Sequence, residues 1–253
     1  MDLSDIAVSN YRPQSEIEEV LMSLPEIQAA QGIWQNRHHQ YTVYGHICAV
    51  VISMHYLLRQ ELNIARKNRL IASACLHDIG KPKTSVEEKR ERQPIRYDSK
   101  HPERTVHRFL SHEKVGEEMV RKMDPTIFFN LNLDQGEIAD LVGAHYDPMT
   151  GIRIMRMETD PQSFVNAYLG LRKSLVDHRA HTNDILDLFY ADRLGQGEAC
   201  KDQVELLSVR DFLLGESSLR LSSIYVNMQR VYNEHDPDKS ECLMVDKLLE
   251  TLG

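Results

Sequence analysis

Apolar residues recur at helical spacing through most of the chain, and the clearest series begins at Val43. From there to about Leu62 an apolar side chain returns every three or four positions, which is typical of an amphipathic helix. Thr42 is suited to cap the start of that helix with its side-chain oxygen. His46 falls on the apolar stripe, so we expect its imidazole to point into the core.

Several further segments have the same spacing and recognisable ends. Ser15 and Glu18 have the separation of a capping box, which predicts a short helix from Ser15 to Met22. The remaining predicted helices cover about 66–79 (stopped by Gly80 and Pro82), a segment capped by Ser111, about 134–147, and one or two helices within 161–195.

Residues 84–111 have little helical period and contain short runs of β-branched and aromatic residues around Pro102. This pattern favours a small β-hairpin insert near 93–109. The predicted fold class is therefore all-α, a helical bundle with that insert. We expect an N-terminal extension over 1–29, the main domain over 30–200, and C-terminal helices over 201–253 packed on the same domain.

Composition is that of an ordinary globular chain: 253 residues, 42% hydrophobic and 27% charged. No apolar run approaches the roughly 20 residues needed to span a bilayer, and the first residues do not resemble a secretory signal. The four cysteines lie far apart and form no C-x-x-C pair, which favours free thiols in a reducing compartment. We therefore expect a cytoplasmic protein without membrane contact.

The net charge of −8 argues against general nucleic-acid binding, but the basic residues are unevenly placed. Residues 81–108 contain nine lysines and arginines against five acidic residues. A solvated insert explains such a run. Because the run follows His77 and Asp78 directly, Arg96, Arg104 or Arg108 are candidates to contact an anionic group such as phosphate.

Six residues, each within or near the end of a predicted helix, are candidates for one site: His46, His77, Asp78, His112, His145 and Asp192. Packed helices can aim such side chains at a common interior point. Imidazole and carboxylate are ligands of Mn²⁺, Fe²⁺, Co²⁺, Ni²⁺ and Zn²⁺, and a cation would compensate the buried carboxylates. Taken alone, any one of these histidines is more typical of a hydrogen-bonded or partly exposed residue than of a ligand, and only the set of six is specific. His178 and His181 are better explained as a solvated face.

The ordered motifs "HDIGKP", "SHEKVG", "LVGAH" and "YADRLG" resemble the HD superfamily of metal-dependent phosphohydrolases. Over roughly residues 30–197 they are similar, more closely, to the HD domain of bacterial tRNA nucleotidyltransferases. The resemblance implies that His46, His77, Asp78 and Asp192 hold one divalent metal. His112 and His145 match the additional histidines of members with two metals, in which Asp78 bridges. Mg²⁺ is a candidate metal as well, in addition to Mn²⁺, Fe²⁺, Co²⁺, Ni²⁺ and Zn²⁺.

Lys81 lies three residues beyond Asp78, where its ammonium could meet a phosphate or simply compensate a helix end. The predicted activity is metal-dependent hydrolysis of nucleotides or small phosphate mono- or cyclic diesters, with Asp78 and Lys81 as catalytic residues. The alternatives are a metal-stabilised nucleotide-sensing or partner-binding module with little turnover and, less favoured, hydrolysis of a guanosine alarmone. tRNA is a disfavoured substrate, because about 40 residues before His46 leave no room for a nucleotidyltransferase head. The sequence is also compatible with a homodimer.

Overall fold

The computed structural model describes residues 8–36, 39–88, 104–150, 161–177 and 180–196, which fall into two compact units. The first unit holds the described residues up to His145 together with those from Asp187 onward. The second holds those from Tyr146 to Leu186. The boundaries predicted after residues 29 and 200 stay predictions, and the C-terminal helices predicted over 201–253 lie outside the described residues.

Two short helices open the first unit, α1 (Glu16–Met22) and α2 (Pro25–Gln28). The predicted cap at Ser15 is present, and the Glu18 side chain reaches back across the first turn to the Ser15 hydroxyl and the Gln14 N–H. The Glu18 backbone N–H donates to Ser15 Oγ at 3.4 Å, and Ser15 Oγ–H donates to Glu18 Oε1 at 2.9 Å. Leu21 and Ile27 are fully buried, so both helices lie against the core of this unit.

The centre of the first unit is the packed pair α3 (Val43–Leu57) and α4 (Ile64–Leu76). Thr42 caps α3 as predicted, its side chain accepting from the Gly45 N–H at 3.2 Å. The prediction that this helix continues to about Leu62 is wrong. The chain turns after Leu57, and Leu62 is 90% exposed despite its place in the apolar series. Asn63 then caps α4 with its side-chain oxygen.

The segment after α4 differs from the expected simple helix stop. Gly80 and Pro82 mark the beginning of a further short helix, α5 (Lys81–Thr84), since proline is favoured in a first turn. Strand β1 (Ser85–Glu87) pairs antiparallel with β2 (His107–Phe109). The expected small β pair is therefore confirmed, although β1 lies before the predicted range of 93–109.

Helices α6 (His112–Lys122), α7 (Pro125–Asn130) and α8 (Gln135–Ala144) complete this part of the unit, and α6 packs along α8. Ser111 occupies the predicted cap position of α6. Its side chain makes no capping hydrogen bond, and its φ of 55° lies in the left-handed region, which few residues other than glycine adopt. The chain therefore enters α6 through a sharp turn.

The segment 161–195 forms separate helices, α9 (Pro161–Asp177) and α10 (Thr182–Leu194). The second unit holds α9 and the beginning of α10, and from Asp187 onward α10 belongs to the first unit. None of the helices in the described part of the chain is long and apolar enough to cross a membrane. The described chain is thus helical apart from one small antiparallel pair, as predicted.

Candidate metal centre

The six predicted ligands lie at the ends of different helices of the first unit or within them. His46 lies on the first turns of α3, His77 and Asp78 directly follow α4, and His112 begins α6. His145 directly follows α8, and Asp192 lies in the last turn of α10. Each is less than a tenth exposed. The structure brings all six together, and we call them the His–Asp cluster.

The four imidazoles of the His–Asp cluster share one orientation. In each, Nδ1 lies within hydrogen-bond distance of a backbone carbonyl oxygen. The pairs are His46 with Gly195 (2.9 Å), His77 with Ala74 (2.8 Å), His112 with Phe109 (3.0 Å) and His145 with Val142 (2.7 Å). Because a carbonyl oxygen only accepts, Nδ1 carries the proton. In the neutral ring Nε2 then keeps its lone pair for a ligand bond, the arrangement usual for metal-binding histidines.

The first half of the cluster joins two imidazoles to two carboxylates. His46 Nε2 lies 2.8 Å from Asp192 Oδ1 and 3.4 Å from Asp78 Oδ2, while His77 Nε2 lies 3.2 Å from the same Asp78 oxygen. The two Nε2 atoms are 3.4 Å apart. Two nitrogens bound about 2.1 Å from one ion in tetrahedral geometry lie roughly 3.4 Å apart, so this spacing fits a shared ion.

The second half of the cluster uses the other oxygen of Asp78. His112 Nε2 lies 3.3 Å from Asp78 Oδ1, and His145 Nε2 lies 3.9 Å from it. Candidate ligand atoms of Asp78, His112 and His145 lie within 4.8 Å of one another, as do those of His46, His77 and Asp78. The geometry therefore offers two adjacent ligand groups that share one carboxylate.

Charges in the cluster favour a cation between its carboxylates. Burial alone would raise the pKa of Asp78. His77, Lys81 and His112 lower this pKa by more than burial raises it, so the net pKa is well below the ordinary value. Burial likewise raises the pKa of Asp192, and a hydrogen bond and charge from His46 outweigh that effect, so its pKa is also lowered. Both carboxyl groups are thus ionised at neutral pH.

Two imidazoles of the cluster respond oppositely to similar burial. Burial lowers the pKa of His77, but Asp78 and Asp192 raise it beyond the ordinary value, because His77 Nε2 lies within 4 Å of both carboxylates. Burial, followed by the charges of His77 and His112, lowers the pKa of His145 to about 3. His145 is therefore neutral at pH 7 and available as a metal ligand.

Asp78 provides the test of whether a metal fits the cluster. Both of its carboxylate oxygens are buried without a hydrogen-bond partner among the described residues. Lys81 Nζ lies 2.6 Å from Oδ2 as an ion pair without hydrogen-bond geometry. A buried ionised carboxylate is costly unless it is compensated. Once any Nε2 proton is lost to an incoming cation, the four imidazoles and these oxygens form a donor set suited to borderline divalent metals such as Mn²⁺, Fe²⁺, Ni²⁺, Co²⁺ and Zn²⁺.

Lys81 lies beside the cluster, almost completely buried. Its Nζ donates to Gln35 Oε1 at 2.7 Å and lies 5.5 Å from the centroid of the Phe109 ring. The ammonium thus lies between a carboxylate, an amide oxygen and an aromatic face. The proximity of Lys81 to Asp78 follows from their spacing in the sequence, whereas Gln35 is distant along the chain and carries no local signal.

The predicted phosphate-binding arginines do not join the His–Asp cluster in the described residues. The guanidinium of Arg104 stacks over the Trp34 indole at 3.8 Å from the ring centroid. Arg108 is exposed on β2, alternating with Phe109, the residue whose ring approaches Lys81. Arg96 lies outside the described residues. Substrate binding by these arginines stays a prediction.

His39, which the sequence did not single out, lies at the edge of the cluster. Its ring meets that of His46 edge to face, with centroids 5.2 Å apart. Its Nε2 lies 3.4 Å from Gln196 Nε2, near the turn whose Gly195 carbonyl fixes His46. The adjacent histidines in "NRHHQ" gave no periodic signal, so only the folded chain reveals this position.

A family model described as "HD domain" matches residues 43–194, more than half of the 253-residue chain. The matched segment begins with α3 and ends with α10, so it contains the whole His–Asp cluster. No curated protein matches the chain, and no solved structure does.

Proposed function

The chain belongs to the HD-domain family, and on this premise we propose that it is a phosphohydrolase dependent on divalent metal, acting on nucleotides or small phosphate esters. Phosphate monoesters and 2′,3′-cyclic diesters are the expected substrates. The observation that supports the proposal is the His–Asp cluster, in which two ligand groups share the Asp78 carboxylate.

The first ion would be held by His46, His77, Asp78 and Asp192, and the second by Asp78, His112 and His145. Bound divalent ions lower the pKa of water towards neutrality and neutralise the charge of a phosphoryl group during displacement. Hydrogen bonds from the four Nδ1 atoms to backbone carbonyls fix the imidazoles before any ligand arrives. This preorganisation lowers the entropy cost of assembling the site.

Asp78 and Lys81 have the most direct roles among the chain's own residues. Asp78 presents one oxygen to each ligand group, which fixes the spacing of the two groups. Lys81 brings a positive charge to the edge of the cluster, where it would attract a phosphoryl oxygen as a point charge. Its burial keeps water from screening that charge.

The narrower features of the sequence prediction stay proposals. Kinship with the HD domain of tRNA nucleotidyltransferases depends only on the motifs "HDIGKP", "SHEKVG" and "LVGAH". tRNA binding, a homodimer and a cytoplasmic location likewise stay predictions. The alternative function is a metal-stabilised nucleotide-sensing or partner-binding module with little turnover. The following experiment would favour it if the protein binds metal without hydrolysing a phosphate ester.

The test compares His77→Ala and Asp78→Ala with a matched control, His181→Ala, because His181 is exposed and belongs to the second unit. Hydrolysis of nucleotides and cyclic nucleotides is measured with Mn²⁺, Ni²⁺ and Mg²⁺, alongside bound metal by elemental analysis. We expect both cluster variants to lose bound metal and more than about 100-fold in kcat/KM, with helical circular dichroism largely kept. The control should match wild type.

Unchanged turnover in either cluster variant would refute the catalytic assignment. A wild-type protein that binds metal but hydrolyses no phosphate ester would instead support the sensing or partner-binding module. Either result can be read from the same set of proteins.

A further inference from the structure

Gln35 lies beside the cluster, directly after a residue whose backbone is bonded on two sides. Trp34, the preceding residue, forms bridges to Thr42 and to Val106, and its carbonyl accepts from the His107 N–H at 3.1 Å. The segment is therefore fixed between the start of α3 and strand β2. Gln35 itself is only 5% exposed, a burial that is unusual for glutamine.

The orientation of the Gln35 amide is determined by Lys81. An ammonium has only donors, so the oxygen of the amide, Oε1, must face it, and the two atoms are 2.7 Å apart. The amide nitrogen Nε2 is consequently buried without a hydrogen-bond partner among the described residues. Buried donors are nearly always bonded, and leaving one unpaired destabilises the fold. The contact with Lys81 thus fixes the amide in the orientation that leaves Nε2 unpaired among these residues.

Lys81 has two oxygen neighbours that would respond differently to a metal, a hydrogen-bonded amide and an ion-paired carboxylate. Its Nζ lies 2.6 Å from Asp78 Oδ2, an atom that also belongs to the ligand set of the first group. A divalent cation at Asp78 would repel the ammonium, since like charges a few ångströms apart in a buried site interact strongly. Gln35 Oε1, being neutral and outside the ligand groups, would remain as its partner.

We infer that Gln35 is a positioning residue for Lys81. Its amide oxygen holds the ammonium at the edge of the Asp78 carboxylate with and without a bound cation. Gln35 thereby limits competition between Lys81 and the metal, and it keeps a positive charge in place for the phosphoryl end of the substrate. The second part of this inference rests on the proposed function, whereas the first concerns metal affinity alone.

The test is a double-mutant cycle of Gln35→Met and Lys81→Met, with Gln60→Glu as an exposed control. Mn²⁺ dissociation constants are measured by calorimetric titration of metal-stripped protein, and circular dichroism checks the fold. Gln35→Met removes the neutral partner of the ammonium and leaves it paired with the Asp78 carboxylate, so we expect Mn²⁺ to bind about tenfold more weakly. Lys81→Met removes the competing charge and should tighten Mn²⁺ binding. In that background Gln35→Met should have no further effect.

A third variant keeps the inference falsifiable if Gln35→Met is unstable. Gln35→Glu retains an acceptor and adds a charge that draws the ammonium away from Asp78. Mn²⁺ should then bind at least as tightly as in wild type. Binding of inorganic phosphate to the Mn²⁺-loaded protein should weaken about tenfold, because Lys81 is neutralised. The control should match wild type in both titrations.

Equal effects of Gln35→Met in the presence and absence of Lys81 would overturn the inference and make Gln35 a purely structural residue. Unchanged Mn²⁺ affinity in Gln35→Met would overturn it as well. Coupling between the two residues in a protein without hydrolytic activity would uphold the positioning role while the proposed function fails. Hydrolysis without coupling would leave the proposed function standing and remove only this inference.

Discussion

At the scale of single residues, three of the four cluster histidines are oriented by their own neighbours in sequence. The Nδ1 atoms of His77, His112 and His145 bond the carbonyl oxygen three residues earlier. For His77 and His145 that carbonyl belongs to the last turn of a helix, where backbone oxygens lack intrahelical partners. A histidine at a helix end can therefore satisfy the helix and direct Nε2 outward.

Glu18 is the other single residue on which much depends, although it lies in the segment predicted to be an N-terminal extension. It is fully buried, and its carboxylate accepts from the Tyr11 hydroxyl at 2.7 Å and the Ser15 hydroxyl at 2.9 Å. His55 Nε2 on α3 lies 2.9 Å from the same group. Glu18 thus ties α1 to the helix that bears His46.

We predict that Glu18→Gln lowers the free energy of unfolding at pH 7 by about 1–3 kcal/mol, because a buried charged acceptor is lost. Burial alone would raise the pKa of Glu18. Hydrogen bonds from His55, Tyr11 and Ser15 lower this pKa by more than burial raises it, so the net pKa lies below the ordinary 4.5. The unfolded chain therefore binds the proton more tightly than the folded one. The advantage of wild type over the variant should be complete above pH 4.5 and shrink as pH falls below it.

Urea unfolding at several pH values between 3 and 7 measures this difference. Glu19→Gln, an exposed change in the adjacent position, is the control and should show almost no loss of stability. A wild-type advantage that stays constant down to pH 3 would contradict the assignment of the acid-sensitive contribution to Glu18.

At the scale of elements, the decisive contact is between the turn after α4 and helix α6. A methyl group added to Gly80 would overlap the carbonyl oxygen of His112 and lie 2.7 Å from the Gly116 nitrogen. The sequence suggested that Gly80 stops a helix, but the fold needs it for close approach. That approach brings Asp78 within 3.3 Å of His112 Nε2.

Gly80→Ala should therefore separate the turn from α6 and disturb the second ligand group. We expect a loss of about 1–3 kcal/mol in the free energy of unfolding, as for other overpacked sites, together with reduced Mn²⁺ stoichiometry. Urea unfolding and elemental analysis measure the two effects.

Gly170→Ala is the matched change on α9, where an added methyl would meet no atom within 4 Å. Helix propensity alone then applies, and the variant should be more stable by up to about 1 kcal/mol. Equal behaviour of the two alanine variants would show that the approach of Gly80 to α6 has no energetic importance.

At the scale of the whole chain, the cluster is completed by a residue far along the sequence. Asp192 on α10 contacts His46 across 146 positions, and the Gly195 carbonyl fixes the other nitrogen of the same imidazole. Closing a loop of this length costs conformational entropy before the contacts of Asp192 with His46 can stabilise the fold. A cation shared by Asp192, His46 and the α4 turn would link these distant segments.

Metal should consequently stabilise the first unit as a whole. We predict that Mn²⁺ at 100 times its dissociation constant raises the free energy of unfolding by about 2.7 kcal/mol, and that a chelator reverses the gain. Calorimetric melting of stripped and loaded protein measures it. Asp192→Asn should reduce the gain, whereas an unchanged melting temperature on adding any of the tested metals would contradict a metal centre.

The sequence by itself determined the helical class, the caps at Ser15 and Thr42, and the residues suited to bind a metal. These features depend on periodicity and on hydrogen bonds within a few positions, which a single stretch of chain encodes. It also indicated that His46 faces inward, and the residue is fully buried. The end of α3 was misjudged because Leu62 continues the apolar series without packing against anything that buries it.

The tertiary structure alone decided which residues meet. The contacts of Gln35 with Lys81 and of His39 with Gln196, and the clearance that Gly80 provides beside His112, all join segments distant in sequence. Polarity and size at each position are compatible with many partners, and packing selects one of them. The local chain thus specifies what each side chain can bind, and only the arrangement of helices specifies what it reaches.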